Sequence, residues 1–259
     1  MVPWGKLQGM MSCPQCSLIF FQGTVDPAAL YGNSYFTGDE YIDYQADRSV
    51  LERNFRARIQ ELRTYQPSGK LLEIGSAYGY FLNLARHDWE VEGIDITVEG
   101  VRFAHSRLGL NVACTDFLSL PDRTGAYDVI CLWDTIEHVS QPVHFIQKAS
   151  RWLKPGGILA LTTGDVGSVV ARLQKDRWRL IHPPTHLTYF SRATLCRAME
   201  NAGLRVEKTS YVGYTRSWKN IVHGLFKGNR WLTLGGCLNF PVYANLFDIL
   251  LVVARKPRV

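Results

Sequence analysis

One short stretch of the chain, residues 71–81, constrains the fold more than any other. An apolar run ends near an acidic residue, a turn with two glycines follows, and a helix-like segment begins directly after it, in the order Leu71, Leu72, Glu73, Ile74, Gly75, Ser76, Ala77, Tyr78, Gly79, Tyr80 and Phe81. This order predicts a buried strand that turns directly into a helix. Such a turn presents backbone N–H groups and a carboxylate where a nucleoside cofactor can be held.

Strands and helices alternate along most of the chain. A helix is predicted over residues 48–65, and seven strands are predicted over residues 70–74, 90–94, 111–114, 127–133, 158–162, 204–211 and 246–254. The helices between them are predicted over residues 79–86, 98–108, 141–153 and 192–201, the last with Ser191 as its N-cap. This alternation predicts an α/β fold with a doubly wound, mostly parallel seven-stranded sheet.

The segments outside this alternation define the domain organisation that we expect. Residues 1–47 show no regular pattern and are predicted to form an N-terminal cap. Residues 48–211 form the predicted cofactor-binding core, with a substrate lid at about residues 163–203. Residues 212–259 contain a predicted C-terminal insertion and the final strand.

The bulk composition narrows the class of protein. The 259 residues are 46% hydrophobic and 20% charged, which suits one α/β domain with additional terminal segments. No apolar run is long enough for a transmembrane helix, and the N-terminus lacks the pattern of a signal peptide, so a cytoplasmic protein with reduced thiols is predicted. The net charge of +6 comes without a long basic run, so no nucleic-acid partner is expected.

The glycine spacing helps to separate two kinds of nucleoside cofactor. Dinucleotide-binding enzymes usually carry G-x-G-x-x-G, whereas here Glu73, Gly75 and Gly79 follow the form E-x-G-x-x-x-G. Asp95 ends the next predicted strand, twenty residues after Gly75, where a carboxylate can accept hydrogen bonds from ribose hydroxyls. Taken alone, these features leave an NAD(P)-dependent oxidoreductase open.

Later motifs favour a different family. Taken together, residues 73–79, Asp95, Asp116 with Phe117, residues 127–139 and residues 153–157 resemble the class I S-adenosylmethionine-dependent methyltransferases. The resemblance is strongest to the small-molecule enzymes of the type 11/12/23 group, which includes the ubiquinone-biosynthesis O-methyltransferases. It implies methyl transfer from S-adenosylmethionine, with a non-catalytic S-adenosylmethionine-binding module as the alternative.

The resemblance also implies a set of cofactor-binding residues. Glu73 matches the acid near the methionine amino group, Asp95 the ribose-binding acid, and Asp116 the acid near the adenine amine, with Phe117 against the adenine edge. Trp133 matches a position that contacts the methionine portion, although it suits a core position equally well. Further contacts are expected in the turn, at Gly75, Ser76, Ala77 and Gly79. Two more are expected at Ile96, which directly follows Asp95, and at Tyr35 in the Tyr-rich segment of the cap.

The predicted acceptor side contains the candidate catalytic residues. His138 follows Asp134 and Glu137 just beyond the fourth strand, and His186 lies in the lid segment. An acceptor that must lose a proton needs a base with a pKa near neutrality, which favours these histidines and an oxygen nucleophile on a small molecule. Nitrogen and carbon acceptors stay open.

A divalent metal is an alternative that we do not favour at this site. In the ubiquinone-pathway enzymes an acid-x-x-Glu-His array resembles Asp134, Glu137 and His138 and is associated with a metal ion. A Glu-His pair after this strand is, however, widespread among relatives without metal, where it starts a helix and lines the pocket. No metal ligand is therefore assigned.

Two terminal features have more than one interpretation. Cys13 and Cys16 form a single CxxC pair that resembles half of a zinc ribbon, and we expect it to be degenerate and metal-free, because structural zinc needs four ligands. Residues 218–232 include an amphipathic stripe, for which core packing is the commonest outcome. A peripheral membrane contact and a homodimer interface are the alternatives.

Overall fold

The computed structural model of the protein describes residues 1–23, 44–218 and 240–258. Its strands, in chain order, are β1 (Val2–Pro3), β2 (Met10–Ser12), β3 (Ile19–Phe21), β4 (Lys70–Ile74), β5 (Glu90–Asp95), β6 (Val112–Cys114), β7 (Tyr127–Trp133), β8 (Leu153–Gly164), β9 (Thr188–Tyr189), β10 (Arg205–Tyr211), β11 (Tyr214–Ser217), β12 (Pro241–Ala244) and β13 (Ile249–Arg255). The α-helices are α1 (Arg48–Tyr65), α2 (Tyr80–Ala85), α3 (Val98–Leu108), α4 (Pro142–Trp152), α5 (Val169–Gln174) and α6 (Arg192–Asn201).

Seven strands form the central sheet, in the order β10-β13-β8-β7-β4-β5-β6. Five of them, β8 to β6 in this order, are parallel, and β13 pairs antiparallel with both of its neighbours. The chain runs outward from β4 to β6 and then returns to β7 on the other side of β4. The direction of winding therefore reverses between β4 and β7, and ligands of such sheets bind at the carboxyl ends of the strands at this point. The predicted fold class is confirmed.

Helices cover both faces of the sheet. On one face α4 and α6 pack against the strands around the buried rings of Phe117 and Trp152. On the other face α1 contributes Ile59 and Leu62 beside α2 and α3. The helix α1 has the predicted bounds because its apolar side chains recur every three or four residues. The predicted N-cap of α6 is also confirmed, since the side chains of Ser191 and Thr194 form a capping box.

The N-terminal residues are more ordered than the sequence indicated. The strands β1, β2 and β3 form an antiparallel meander that pairs with β9 in a separate four-stranded sheet. The expectation that residues 1–47 contain no regular element is therefore wrong for residues 1–21. Strands of two or three residues are too short to show an alternating pattern, and β3 is completed by a partner far away in sequence.

The predicted C-terminal insertion begins with a third, two-stranded sheet made by β11 and β12. Tyr35 and residues 219–239, which include most of the amphipathic stripe, lie outside the described residues. No helix within the described ranges is both long and apolar enough to span a bilayer. The division into segments 1–47, 48–211 and 212–259 stays a prediction.

Candidate functional site

The turn after β4 has a backbone that requires small residues. Gly75 has a φ of 81° and Gly79 a φ of 76°, and a Cβ added at Gly75 would lie 2.4 Å from Oγ1 of Thr135. Ala77 also has a positive φ, at 46°. The N–H groups of Gly75 and Ser76 both donate to the carbonyl of Ile94 on β5, at 2.8 and 3.1 Å. The turn is therefore fixed to the neighbouring strand in a conformation that only glycine adopts without strain.

Asp95, at the end of β5, connects this turn to the next segment of the chain. Its Oδ2 accepts a hydrogen bond from the Ala77 N–H at 2.7 Å. Its Oδ1 accepts from the N–H of Thr97 at 2.7 Å and from the Thr97 hydroxyl at 2.5 Å. Burial raises the pKa of Asp95 and these hydrogen bonds oppose the rise. Since a carboxylate oxygen can accept two hydrogen bonds, Oδ2 retains the capacity for a ribose hydroxyl.

Glu73 has the chemistry of a receptor for a cationic group. It is 2% exposed, and its Oε2 has no hydrogen-bond partner. Burial raises its pKa well above the ordinary value, and the nearby Asp95 adds to the effect. Among the other buried atoms without a hydrogen-bond partner are Oγ of Ser76, in the turn, and Nε1 of Trp133, at the end of β7. Such atoms are costly unless a ligand satisfies them, so Glu73 and Ser76 fit a cofactor with a positively charged amino group, as in S-adenosylmethionine, whereas the N–H of Trp133 needs an acceptor.

The remaining predicted cofactor residues differ in their exposure. Ile96 is 45% exposed beside Asp95. Asp116 is exposed and caps a short 3₁₀ helix by accepting a hydrogen bond from the Leu118 N–H. The ring of Phe117 is buried against Phe145 and Trp152, so any contact with adenine would fall to its backbone. The cofactor contacts of all three residues stay predictions.

Asp134 lies at the opposite side of the same edge, directly after β7. It has a positive φ of 48°, and its N–H donates to the carbonyl and to Oγ1 of Thr162 on β8. Its Oδ2 accepts a hydrogen bond of 2.5 Å from the hydroxyl of Tyr214. A non-glycine residue in the left-handed region at a strand end is typical of functional sites, because the strain must be stabilised by the surrounding contacts.

The structure brings the two predicted histidines together. The rings of His138 and His186 meet edge to face with their centroids 4.6 Å apart, and the ring of His182 lies 3.9 Å from that of His186. Nδ1 of His138 lies 3.0 Å from the carbonyl of Thr185, and Nδ1 of His186 lies 2.9 Å from the carbonyl of Leu180. Because a carbonyl can only accept, both rings carry their proton on Nδ1 and keep the lone pair on Nε2.

Burial keeps both of these histidines neutral. It lowers the pKa of His138 to about 4 and the pKa of His186 well below its ordinary value. For His186 the neighbouring rings of His138 and His182 lower the pKa further. Both imidazoles therefore present an Nε2 lone pair at neutral pH, but the lowered pKa makes each a weaker base than the near-neutral one expected from the sequence, so proton uptake has to be coupled to bond formation on the ligand.

Three side chains at this position have the arrangement of a metal-ligand set. One ligand atom each of Glu137, His138 and His186 lies within 4.8 Å of the others. Asp134, which the sequence pattern groups with Glu137 and His138, is not part of this set. Its carboxylate instead accepts a hydrogen bond from Tyr214. The geometry therefore combines the Glu-His pair with a histidine of the predicted lid.

The CxxC pair lies apart from these residues, in the turn between β2 and β3. The N–H of Ser17 donates to the carbonyl of Cys13, and the N–H of Cys13 donates to the carbonyl of Leu18. Ser17 has a φ of 63°, a conformation that favours glycine. Cys13 and Cys16 are both free thiols. Whether they bind zinc stays a prediction, which metal analysis of the purified protein would test.

Sequence reasoning missed three residues of this edge. Thr97 holds Asp95, Tyr214 holds Asp134, and the buried Arg58 of α1 packs over the Tyr214 ring. A signal for Arg58 was present, since it lies on the predicted helix between the apolar positions Phe55 and Leu62. No comparable signal exists for Tyr214, because its position depends on tertiary packing of the insertion.

Comparisons with known proteins agree with this geometry. The family model Methyltransf_23, described as a methyltransferase domain, matches residues 44–209. The chain is 28% identical over 217 residues to a ubiquinone biosynthesis O-methyltransferase of Xanthomonas axonopodis pv. citri, covering 78% of this chain and 87% of that protein. It is 29% identical over 239 residues to the biotin biosynthesis bifunctional protein BioHC of Cellvibrio japonicus, covering 86% of this chain but only 45% of that longer protein.

Solved structures show the same fold. The structure of an S-adenosylmethionine-dependent methyltransferase from Archaeoglobus fulgidus superposes with a TM-score of 0.56 at 18% identity, covering 89% of this chain and 100% of that chain. The glycine spacing and the family match together exclude the NAD(P)-dependent alternative. The chain belongs to the Methyltransf_23 family of methyltransferase domains, and its cofactor is S-adenosylmethionine.

Proposed function

We propose that the protein transfers the methyl group of S-adenosylmethionine to an oxygen of a small molecule, such as a sugar, a lipid-linked intermediate or a phenolic metabolite. The observation that carries the proposal is the pair of neutral histidines, His138 and His186, beside the carboxyl end of β7. The likeness to ubiquinone biosynthesis O-methyltransferases supports oxygen. Phosphoethanolamine N-methyltransferases of Arabidopsis thaliana also match, and they make nitrogen the second candidate.

The first task of the protein is to bind and orient its two ligands. Glu73 would bind the amino group of the cofactor and Asp95 its ribose, with the backbone of the Gly75 turn close to both. Bound S-adenosylmethionine supplies a methyl group that is already activated by its positively charged sulfur. Most of the rate enhancement can then come from alignment, which fixes the acceptor oxygen in line with the bond to sulfur.

The second task is to remove the hydroxyl proton of the acceptor. We assign this role to Nε2 of His138, because His138 as a residue is half-buried whereas His186 is 6% exposed. As the new oxygen–carbon bond forms, the sulfur–carbon bond breaks and sulfur keeps the electron pair, while His138 takes the proton. His186 would hold the lid against His138. Asp134, fixed by Tyr214, would orient the acceptor hydroxyl.

The test is turnover of methyl-labelled S-adenosylmethionine against matched alcohols, phenols and amines. We expect label on oxygen, and we expect His138→Ala to lower kcat by about 100- to 10,000-fold, the usual range for loss of a general base. Binding of S-adenosylhomocysteine to this variant should be unchanged. His144→Ala is the control, since His144 is exposed at the start of α4 and its Nδ1 contacts only Gln141 in the described contacts.

Two results would reject the proposal. One is methylation of amines but of no hydroxyl compound. The other is full activity of His138→Ala on a hydroxyl acceptor, which would remove His138 from the role of base while leaving the methyltransferase activity intact.

We also propose that the protein works in the cytoplasm and without a nucleic-acid partner. The free thiols of Cys13, Cys16, Cys114, Cys131 and Cys196 support a reducing compartment. Fractionation of the cells that make the protein, with detection by antibody, would test the location.

A further inference from the structure

Lys148, in the middle of α4, carries a buried positive charge. The residue is 5% exposed, and no carboxylate of the described part of the chain forms a salt bridge with it. Burial lowers the pKa of Lys148, and the charges of Asp122 and Asp116 oppose the fall only in part. A buried ammonium group is costly, and methionine would fill a similar space without that cost. The charge is therefore balanced by the uncharged groups around it.

Three carbonyl groups of one short turn accept hydrogen bonds from Lys148. Its Nζ donates to the carbonyls of Phe117, Leu118 and Leu120, at 2.8, 2.9 and 2.5 Å. These bonds use all three donors of the ammonium group. Phe117 and Leu118 belong to the 3₁₀ helix Phe117–Ser119, and Leu120 directly follows it. The lysine therefore caps the carboxyl end of this helix from another part of the chain, where a positive charge suits the carbonyl dipoles.

Two aromatic rings hold the ammonium group in this place. Nζ of Lys148 lies 5.2 Å from the ring centroid of Phe117 and 5.2 Å from that of Trp152. The two rings meet edge to face, with their centroids 4.9 Å apart. Trp152 follows Lys148 by four residues on α4, so both side chains lie on the same face of the helix. The ring and the main chain of Phe117 are thus held by one ammonium group.

The other end of the turn is joined to the cofactor end of the sheet. Asp116 accepts a hydrogen bond from the Leu118 N–H at 3.1 Å, and its carbonyl accepts from the Ser119 hydroxyl at 2.7 Å. Directly before it, the Thr115 N–H donates to the carbonyl of Asp95 at 2.9 Å. Because the base of a nucleoside is bonded to its ribose, a turn that adjoins the predicted ribose acid Asp95 lies where adenine would be.

We propose that Lys148 is a positioning residue that holds the turn of residues 116–120 in the conformation that receives the adenine ring. It fixes the backbone of Phe117 and, through the turn, the carboxylate of Asp116, without touching the cofactor itself. Without the ammonium group, three carbonyls at this partly buried place lose their donor, and the turn has to move to find others. This role depends on the predicted adenine contacts of Asp116 and Phe117 and not on the identity of the acceptor atom.

The experiment compares two ligands that differ only in the base. S-adenosylhomocysteine carries adenine, whereas S-inosylhomocysteine carries hypoxanthine, which has an oxygen in place of the amine that Asp116 would bind. Calorimetry should show that the wild type prefers the adenine form. Lys148→Met should weaken binding of S-adenosylhomocysteine by about 10-fold, the usual effect of losing one charged hydrogen bond, and leave binding of S-inosylhomocysteine unchanged. Lys148→Arg should recover part of the loss, because it keeps the charge and several N–H donors.

A matched control makes the same kind of contact at the opposite edge of the sheet. Nζ of Lys256 donates to the carbonyls of Arg151 and Leu153, at 3.3 and 2.8 Å, where α4 ends and β8 begins. Lys256→Met should lower the melting temperature and keep the wild-type ratio of the two affinities. Thermal melting of every variant without ligand reports whether the fold is intact. Lys148→Gln, which keeps two N–H donors without the charge, is the second variant if Lys148→Met does not fold, and the ratio should change in the same direction.

The ratio of the two affinities separates positioning from stability alone. If a folded neutral variant of Lys148 binds both ligands as the wild type does, or weakens both by the same factor, Lys148 only stabilises the fold and the proposal is wrong. If the wild type itself binds the two ligands equally, the turn does not distinguish the base, and the proposal is wrong for that reason. Neither result bears on methyl transfer to oxygen, since the experiment contains no acceptor.

Discussion

The two ends of the proposed active site are built in different ways. The cofactor end consists of residues close together in one β-α-β unit, where Gly75, Ala77 and Asp95 are fixed by backbone hydrogen bonds between β4, β5 and the turn. The acceptor end is assembled from distant segments, since His138 meets His186 across the lid and Asp134 meets Tyr214 across 80 residues of chain. The first arrangement is local and rigid, and the second depends on tertiary packing.

This difference suggests a division of labour. A cofactor that is the same in every relative can be bound by a turn whose geometry follows from a short motif. An acceptor that varies between relatives is better served by loops, which can change without disturbing the sheet. Substitutions at the cofactor end should therefore affect cofactor binding directly, whereas changes at the acceptor end should affect turnover and the response to pH.

The largest effect is expected at the cofactor end for Asp95→Ala. The variant loses the carboxylate that accepts from Ala77 and Thr97 and that would bind the ribose. We expect the affinity for S-adenosylhomocysteine to fall by about 100-fold, measured by calorimetry, because several charged hydrogen bonds are lost together. Asp122→Ala, which removes an exposed acid paired with Arg151, is the control. Unchanged affinity of Asp95→Ala would remove the ribose assignment.

Gly75→Ala tests the rigidity of the same end. The new Cβ would lie 2.4 Å from Oγ1 of Thr135, and the backbone φ of 81° is strained for alanine. We expect the free energy of unfolding to fall by about 1–3 kcal/mol, measured by denaturant titration. Gly125→Ala is the control, because Gly125 also has a positive φ, of 67°, but no atom lies within 4 Å of the added Cβ. This variant therefore measures the backbone strain without the clash. Equal losses for both variants would show that close packing at Gly75 is unimportant.

At the acceptor end the expected effect is a loss of stability in acid. The folded pKa of His138 is about 4, below the value of about 6.5 in an unfolded chain, and that of His186 is also lowered. The unfolded state therefore binds more protons, so stability falls as pH drops from about 6.5 towards 4. His186→Gln should reduce this loss by at most about 2 kcal/mol at pH 5 relative to pH 7.5, the limit that an unfolded pKa of about 6.5 sets for one histidine. If the wild type and His186→Gln lose the same stability between the two pH values, as measured by thermal melting, the burial of a neutral His186 is contradicted.

The smallest effect is expected from removing metal ions. We expect thorough dialysis against a chelator to leave methyl transfer unchanged, since His138 and His186 are already held by hydrogen bonds to the carbonyls of Thr185 and Leu180. Metal analysis of the dialysed protein accompanies the assay. Loss of activity that returns on addition of Mg²⁺ or Zn²⁺ would instead identify the cluster of Glu137, His138 and His186 as a metal site. A metal site would be a further difference between the acceptor end and the cofactor end.

The sequence predicted the sheet and the turn after β4 well because both depend on local signals. The strand before Gly75, the acid at Asp95 and the helix α1 follow from periodicity and spacing. The pairing of β3 with β9 and the hydrogen bond between Tyr214 and Asp134 could not be predicted, since nothing in a short window shows which distant segment will be adjacent. Even His138 and His186, both found as candidates, could not be recognised as ring neighbours before the lid was folded.

The junction between β3 and β9 has a consequence for how this protein can be handled. Ile19 and Phe20 pair with Tyr189 and Thr188, and the Phe21 N–H donates to the carbonyl of Leu187. A chain shortened to begin near residue 44 would keep every predicted cofactor residue except Tyr35 but would leave β9 without the strand that pairs with it, close to His186. Unpaired strand edges pair with other strands, so we expect the shortened protein to self-associate. Self-association would show that β9 has lost its partner, without an assay of methylation.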